Sequence, residues 1–259
     1  MPRSREKIAK IIQSVGNIFS TQDAALLLQR SNIDTSKALS RWVQQGWLTR
    51  IRRGLYAVVP LEATDNKQML EEPWALIPEI YAPCYIAGWS ATEYWDFTEQ
   101  LFYDICVFTE KPVLHKKQSI NRISFLLTHI SSQHNFGTTV VWRQNKKIFI
   151  SDPHKTIIDG MYNPLSFGGI QHLIDCLREY IKSPHHDPGK LAAYASRMNS
   201  GAVFKRLGYL YSEITKGESE LTDLRHKNLT QGIAALDPSI KSGSITTRWR
   251  LKVPKHLTI

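Results

Sequence analysis

Apolar residues recur at helical spacing from the first turns of the chain. Ile8, Ile11, Ile12 and Val15 fall at i, i+3, i+4 and i+7. That spacing predicts an amphipathic helix from a Ser4 cap to about Val15, with Gly16 as a left-handed stop. Ile18-Phe19 follows as a short extended piece. Ser20, with Asp23 three residues on, has the form of a capping box for a helix over about 21–30 that turns Ala24, Ala25, Leu27 and Leu28 inward. Residues 31–34 read as a turn. Asp34 or Thr35 would cap a third helix over about 35–45, closed by Gly46. Its apolar stripe is Leu39, Trp42 and Val43, and its opposite face carries Ser36, Lys37, Ser40, Arg41 and Gln44. The pattern then alternates. Trp47–Ile51 and Leu55–Val59 predict a two-stranded hairpin turning at Arg52-Arg53-Gly54, where glycine tolerates positive φ. Three short helices followed by a hairpin is the order of a winged helix-turn-helix.

Beyond Pro60 the periodicity mixes. A polar stretch, 61–68, reads as a linker, and residues 69–259 as a larger mixed α/β region. The expected class is therefore α+β: an N-terminal winged helix over 1–60, then a mixed α/β C-terminal domain. A helix is expected over about 69–80, a brief extended segment at Cys84–Ala87, and a helix capped by Ser90. Strands are expected at Tyr103–Thr109, Arg122–His129, Thr138–Arg143 and Lys147–Ser151, the last two joined as a hairpin through Gln144-Asn145-Lys146. Asp152-Pro153 and Asp187-Pro188 each place a capping acid before a proline at the first helical position. They open helices to about Asn163 and Asn199. Further helices are expected at Gly169–Lys182 and Gly201–Thr215, and a late strand at Thr247–Val253.

Charge sharpens this picture. Over 259 residues the formal net charge is +10, but residues 1–60 hold ten basic and three acidic side chains, a surplus of seven in under a quarter of the chain. Residues 61–259 hold 23 basic and 20 acidic side chains, a surplus of only three. A basic front end on a helix-turn-helix pattern suggests a polyanionic partner. In that reading Arg52 and Arg53, with Arg50, meet phosphates from the hairpin tip. Ser36, Lys37, Ser40, Arg41 and Gln44 enter or skirt the major groove, where Arg can pair with guanine and Gln with adenine. One module covers little DNA, so two copies on an inverted repeat are expected.

Other chemistries find little support. No apolar run reaches the length of a membrane helix, and the charged N-terminus has no secretory signal pattern. Cys84, Cys106 and Cys176 are widely spaced and read as three reduced thiols of a cytoplasmic protein. Gly189-Lys190 is followed by Leu191, so no phosphate-binding loop forms, and no acid follows Gly243-Ser244 as a nucleotidyl transferase requires. The alternative to a binding protein is a metal-dependent nuclease or other nucleic-acid enzyme targeted by the winged helix. Its nearest approach is Asp104 with Glu110-Lys111, but adjacent strand residues point to opposite faces and cannot serve one metal. His185-His186-Asp187 reads as a polar connector, and His154 and His172 lie on predicted helices without a second histidine at i+4. No catalytic residue, metal or cofactor is assigned.

The ordered motifs resemble those of the AbiEi family, antitoxins of bacterial type IV (abortive infection) toxin–antitoxin systems. The resemblance lies in Gly46–Tyr56 (GWLTRIRRGLY), Tyr85–Tyr94 (YIAGWSATEY), Thr98-Glu99-Gln100 and Asp152–Asp159 (DPHKTIID). It continues through Gly168-Gly169-Ile170, Lys205–Leu210 (KRLGYL), Leu236-Asp237-Pro238 and Trp249-Arg250-Leu251. It spans nearly the whole chain. The chain departs from the family where an Arg often stands at His154 or Lys155, and where Pro254 replaces a late Asn. The resemblance implies a winged helix that binds operator inverted repeats and represses its own operon. It also implies a C-terminal domain that counteracts a nucleotidyltransferase-like toxin, without an assured stable complex between the two proteins.

Overall fold

The structure is a computed structural model that describes residues 2–59, 72–143, 145–216, 230–255 and 257–259. The expected linker, 61–68, and the start of the expected helix 69–80 lie outside the described residues, as does Gln144 of the expected hairpin connection.

The N-terminal region runs α1 (Pro2–Val15), β1 (Ile18–Ser20), α2 (Thr21–Leu28), α3 (Asn32–Gln44), β2 (Leu48–Arg52) and β3 (Leu55–Val58). Two boundaries differ from expectation. Helix α1 already includes Ser4, which is therefore not its cap. Helix α3 starts three residues early because Ser31 caps it, its hydroxyl accepting from the Asp34 amide at 3.1 Å. The Ser20–Asp23 capping box on α2 is present in both directions. Strand order is β1-β3-β2, all antiparallel.

Alternation splits this small sheet into two faces. Phe19, Leu48 and Tyr56 pack under the helices with Ile8, Ile11, Ala24, Leu39 and Trp42. Ile18, Leu55 and Ala57 point the other way and join a second core with Leu76, Ile77, Ile80, Ile86, Val107 and Phe125 of the larger region. The sheet of the N-terminal region is thus glued by its back to the rest of the molecule. Burial of apolar surface at roughly 25 cal/mol per Å² makes such a contact a firm one.

The larger region opens with a 3-10 turn (Pro73–Leu76) and α4 (Ile77–Tyr81), a shorter and later helical segment than expected. There follow β4 (Cys84–Ile86), α5 (Gly88–Tyr94), β5 (Asp104–Thr109), β6 (Lys117–Ile120), β7 (Ile123–His129), β8 (Thr138–Arg143) and β9 (Lys146–Ser151). These strands form one mixed sheet in the order β6-β7-β5-β4-β9-β8. Helix α5 begins at Gly88, so Ser90 is no cap; its Oγ accepts from the Cys106 amide and ties the helix to β5. Strand β6 was not expected. It is a polar edge strand joined to β7 by Asn121-Arg122, both at positive φ, as a two-residue hairpin turn of the primed type requires.

The remaining helices among the described residues are α6 (Pro153–Tyr162), α7 (Ile170–Lys182), α8 (Pro188–Met198) and α9 (Gly201–Ile214). Asp152 and Asp187 cap α6 and α8 as their Asp-Pro pairs predict. Helix α6 is the central element: every residue from Pro153 to Met161 is buried. It lies between the sheet, through Tyr85, Phe108 and Ile130, and the helices α7, α8 and α9. A final small sheet contains β10 (Ala234–Ala235), β11 (Ser244–Thr246) and β12 (Leu251–Val253). Only the end of the expected late strand 247–253 is extended, and residues 247–250 form a turn. The Trp249 ring packs against α9 at Gly208, where any Cβ would collide with it.

Candidate nucleic-acid interface

The polar face of α3 and the β2–β3 hairpin enclose an open concavity of about 810 Å³. Seven of the eight residues singled out by the sequence border it: Ser36, Lys37, Ser40, Arg41 and Gln44 from α3, and Arg50 and Arg53 from the hairpin. Helical spacing explains the first five, since 36, 37, 40, 41 and 44 fall on one side of the helix. The other side, Thr35, Ala38, Leu39 and Trp42, is buried in the three-helix core. Arg50 pairs across the ladder with Tyr56 and shares its face. Gly54, at φ +80°, closes the turn, and its carbonyl accepts from the Thr21 amide at the start of α2 at 2.9 Å. That bond holds the hairpin tip against the helices.

The eighth residue, Arg52, goes elsewhere. The ladder shifts between Arg50 and Arg52, so that Ile51 and Arg52 together oppose Leu55. A bulge of this kind re-aims the side chain that follows it. Arg52 therefore leaves the face of Arg50 for that of Leu55, toward the larger region, and its guanidinium donates to the Glu79 carbonyl at 2.6 Å. Glu79 in turn pairs with Lys146 at 2.6 Å, and Asn145 donates to the Gln13 carbonyl at 3.4 Å.

The concavity is electropositive because its charges are not cancelled locally. Among the described residues, no ion pair involves a side chain of the N-terminal region; every one lies at residue 72 or beyond. The nearby carboxylates are occupied as helix caps: Asp23 is bound to Ser20, and Asp34 to Ser31. Lys37, Arg41, Arg50 and Arg53 are exposed. Five further residues border the same hollow and were not among the expected contacts: Gly54 and Tyr56 of the hairpin, and Thr21, Asn32 and Ile33. The last two were assigned to a turn. The Ser31-x-x-Asp34 spacing was the signal that could have placed them on the helix.

The other candidate chemistry is dispersed. Asp104 begins β5 and pairs with Lys117 at 2.9 Å. Partial burial pushes its carboxyl up, but hydrogen bonds from Ser124 and Lys117 and the lysine charge outweigh this and hold it below the usual range. Glu110 follows the far end of the same strand and accepts from Asn135 at 2.6 Å. The two acids are thus about 20 Å apart, at roughly 3.3 Å per strand residue. Among the described residues no cluster of three or more His, Cys, Asp or Glu is placed to hold a metal ion. His186 bonds to the Tyr211 hydroxyl at 2.8 Å and Asp187 caps α8, so the His-His-Asp segment is a connector. All three cysteines are buried. No helix among the described residues is long and apolar enough to cross a membrane.

Comparison with known proteins bears on the same region. Residues 6–59 match the family model described as transcriptional regulator, AbiEi antitoxin. The match runs from α1 to the end of the hairpin, the segment that builds the concavity, and bears out there the AbiEi resemblance read from the motifs. In overall fold the chain is similar to the crystal structure of the RV2827C protein from Mycobacterium tuberculosis. That likeness has a TM-score of 0.63 at 14% identity and covers 98% of this chain and 92% of the other. It extends the likeness of fold through the larger region. No curated protein sequence matches the chain.

Proposed function

We propose that this protein is a DNA-binding transcriptional regulator that places α3 in the major groove of a duplex and its hairpin on the flanking phosphates. The observation that carries the reading is the concavity itself. Seven predicted contact residues surround it, its cations have no carboxylate partner among the described residues, and its neighbouring acids are bonded to the capping serines. Such a surface costs stability through self-repulsion and recovers it on a polyanion, where condensed counterions are released. Arg53 and Arg50 contact phosphates. Lys37, Arg41, Gln44, Ser36 and Ser40 meet base edges or adjoining phosphates, with Arg41 and Gln44 able to form bidentate pairs. Arg52 takes a different part: it anchors the hairpin to the larger region.

Two copies bound to an inverted repeat would supply the selectivity one module lacks. The family described for residues 6–59 supports an antitoxin role, in which the chain represses its own operon and the larger region opposes a nucleotidyltransferase-like toxin. Titration of labelled duplex with the full-length protein at increasing salt tests the reading. With about six phosphates contacted per module, log affinity falls against log salt with a slope of about −5. A flat dependence, or no binding to any duplex, overturns it.

A further inference from the structure

Ile33 is out of place by the ordinary rule of burial. Ile8, Ile11 and Ile18 of the same region are 7%, 0% and 2% exposed, whereas Ile33 is 69% exposed. It stands in the first turn of α3 and borders the hollow described above. It also heads the polar stripe: Ser36 and Lys37 follow at i+3 and i+4, and Ser40 and Arg41 at i+7 and i+8. A single aliphatic side chain on a face otherwise made of hydroxyls, amides and cations gains free energy by meeting an apolar group, and among major-groove base edges one group qualifies. That group is the 5-methyl of thymine.

We infer that Ile33 packs against a thymine 5-methyl group and so sets a required T·A pair in the half-site. The inference rests on the DNA-binding reading and adds a specificity residue to it. Three features fit. In helix-turn-helix modules the N-terminal residues of the second helix approach base edges most closely. The β-branched side chain has one strongly preferred rotamer in a helix, so little freedom is lost on contact. Asn32 borders the same hollow at the preceding position and carries the amide that recognises adenine. RNA offers neither the methyl group nor a major groove that a helix can enter, so the target is DNA. Leu26 is as exposed, at 72%, but stands on α2 and does not border the hollow.

The test uses the full-length protein and duplexes enriched by it from a randomised pool. In the preferred duplex each thymine is replaced singly by deoxyuridine, which deletes only the methyl group, and affinities are measured for wild type and Ile33→Ala. The expected result is one position at which deoxyuridine weakens wild-type binding about fourfold, the worth of one buried methylene-sized group. For Ile33→Ala the same replacement has no effect, while for Arg41→Ala the fourfold penalty persists. Because Ile33 is exposed, Ile33→Ala keeps the wild-type thermal midpoint. If wild type binds duplexes tightly but no thymine shows the penalty, or the penalty survives in Ile33→Ala, the inference is overturned and the DNA-binding reading stands. If wild type enriches no duplex at all, the proposed function falls and this contact with it.

Discussion

In the N-terminal region Lys37, Arg41, Arg50 and Arg53 stand exposed around one hollow, while in the larger region Lys155, Lys205 and Arg206 are buried and held by oxygens of the chain itself. Lys155 pairs with Asp159 one turn along α6 and donates to the Tyr85 hydroxyl at 2.9 Å; its ammonium also lies 4.9 Å from the Phe136 ring centre. Arg206 donates to the carbonyls of Met161 at 2.6 Å and Ala235 at 2.9 Å, and Lys205 to that of Gly232. Positive charge is therefore spent in two ways. Around α3 it stands exposed and without an ion pair among the described residues, whereas around α6 and α9 it fastens one element to another. The cations of the segments Asp152–Asp159 and Lys205–Leu210 belong to the second kind.

The contrast can be broken most severely at Lys155. Lys155→Ala leaves the Asp159 carboxylate buried without its cation and lowers unfolding stability by about 3–5 kcal/mol in urea titration. Lys155→Met with Asp159→Leu removes both charges and loses much less. An equal loss in the two variants would show that the pair is not what matters.

At the other pole, Arg50→Ala with Arg53→Ala keeps the urea midpoint at or slightly above the wild-type value, as self-repulsion is relieved, and makes the salt slope of DNA binding shallower by about 1.8, two phosphate contacts at about 0.9 each. Arg52→Ala behaves in reverse. It leaves the slope intact and lowers the thermal midpoint by on the order of 1–2 °C, since one hydrogen bond to the larger region is lost. If Arg52→Ala changed the slope as Arg53→Ala does, the division of labour across the bulge would be wrong.

The smallest effect concerns pH. Burial holds the imidazoles of His154 and His172 below the ordinary 6.5 in the fold. At His154 the charges of Lys190 and His185 act with burial, and those of Asp152 and Asp187 oppose it. The unfolded chain therefore binds more protons in the window just below pH 6.5. Stability is full above that value and declines as pH falls through the lowered folded values. The urea midpoint should drop between about pH 7.5 and about pH 5.5, and the drop should shrink in His154→Gln with His172→Gln. Stability that rose on acidification would contradict this sign.

Most helices and strands were legible because their signals are local. The Ser20–Asp23 box, the Asp-Pro starts at 152 and 187, and the alternation in β5, β7, β8 and β9 each involve residues a few positions apart. Strand β6 escaped because an edge strand with polar residues on both faces carries no hydrophobic alternation. The start of α3 was misplaced by three residues, which hid Asn32 and Ile33 from the candidate interface. Seven of its eight expected members border the hollow, and for the five on α3 the helical repeat makes the reason visible. Arg52 did not follow them, and no count of periods could have said so.

Charge distribution, capping acids and periodicity, all properties of neighbours in the chain, were enough to mark a cationic helix-turn-helix at the front of this protein. Which arginine borders the hollow beside α3 was decided by long-range packing. The back of the β1-β3-β2 sheet had to meet Leu76, Ile77 and Ile80, and the bulge beside that contact turned Arg52 toward Glu79 while leaving Arg50 and Arg53 beside α3. The same holds for the buried cations of α6 and α9. A lysine or arginine reads as surface until the fold surrounds it with its own oxygens, because only assembled structure can exclude water and replace it.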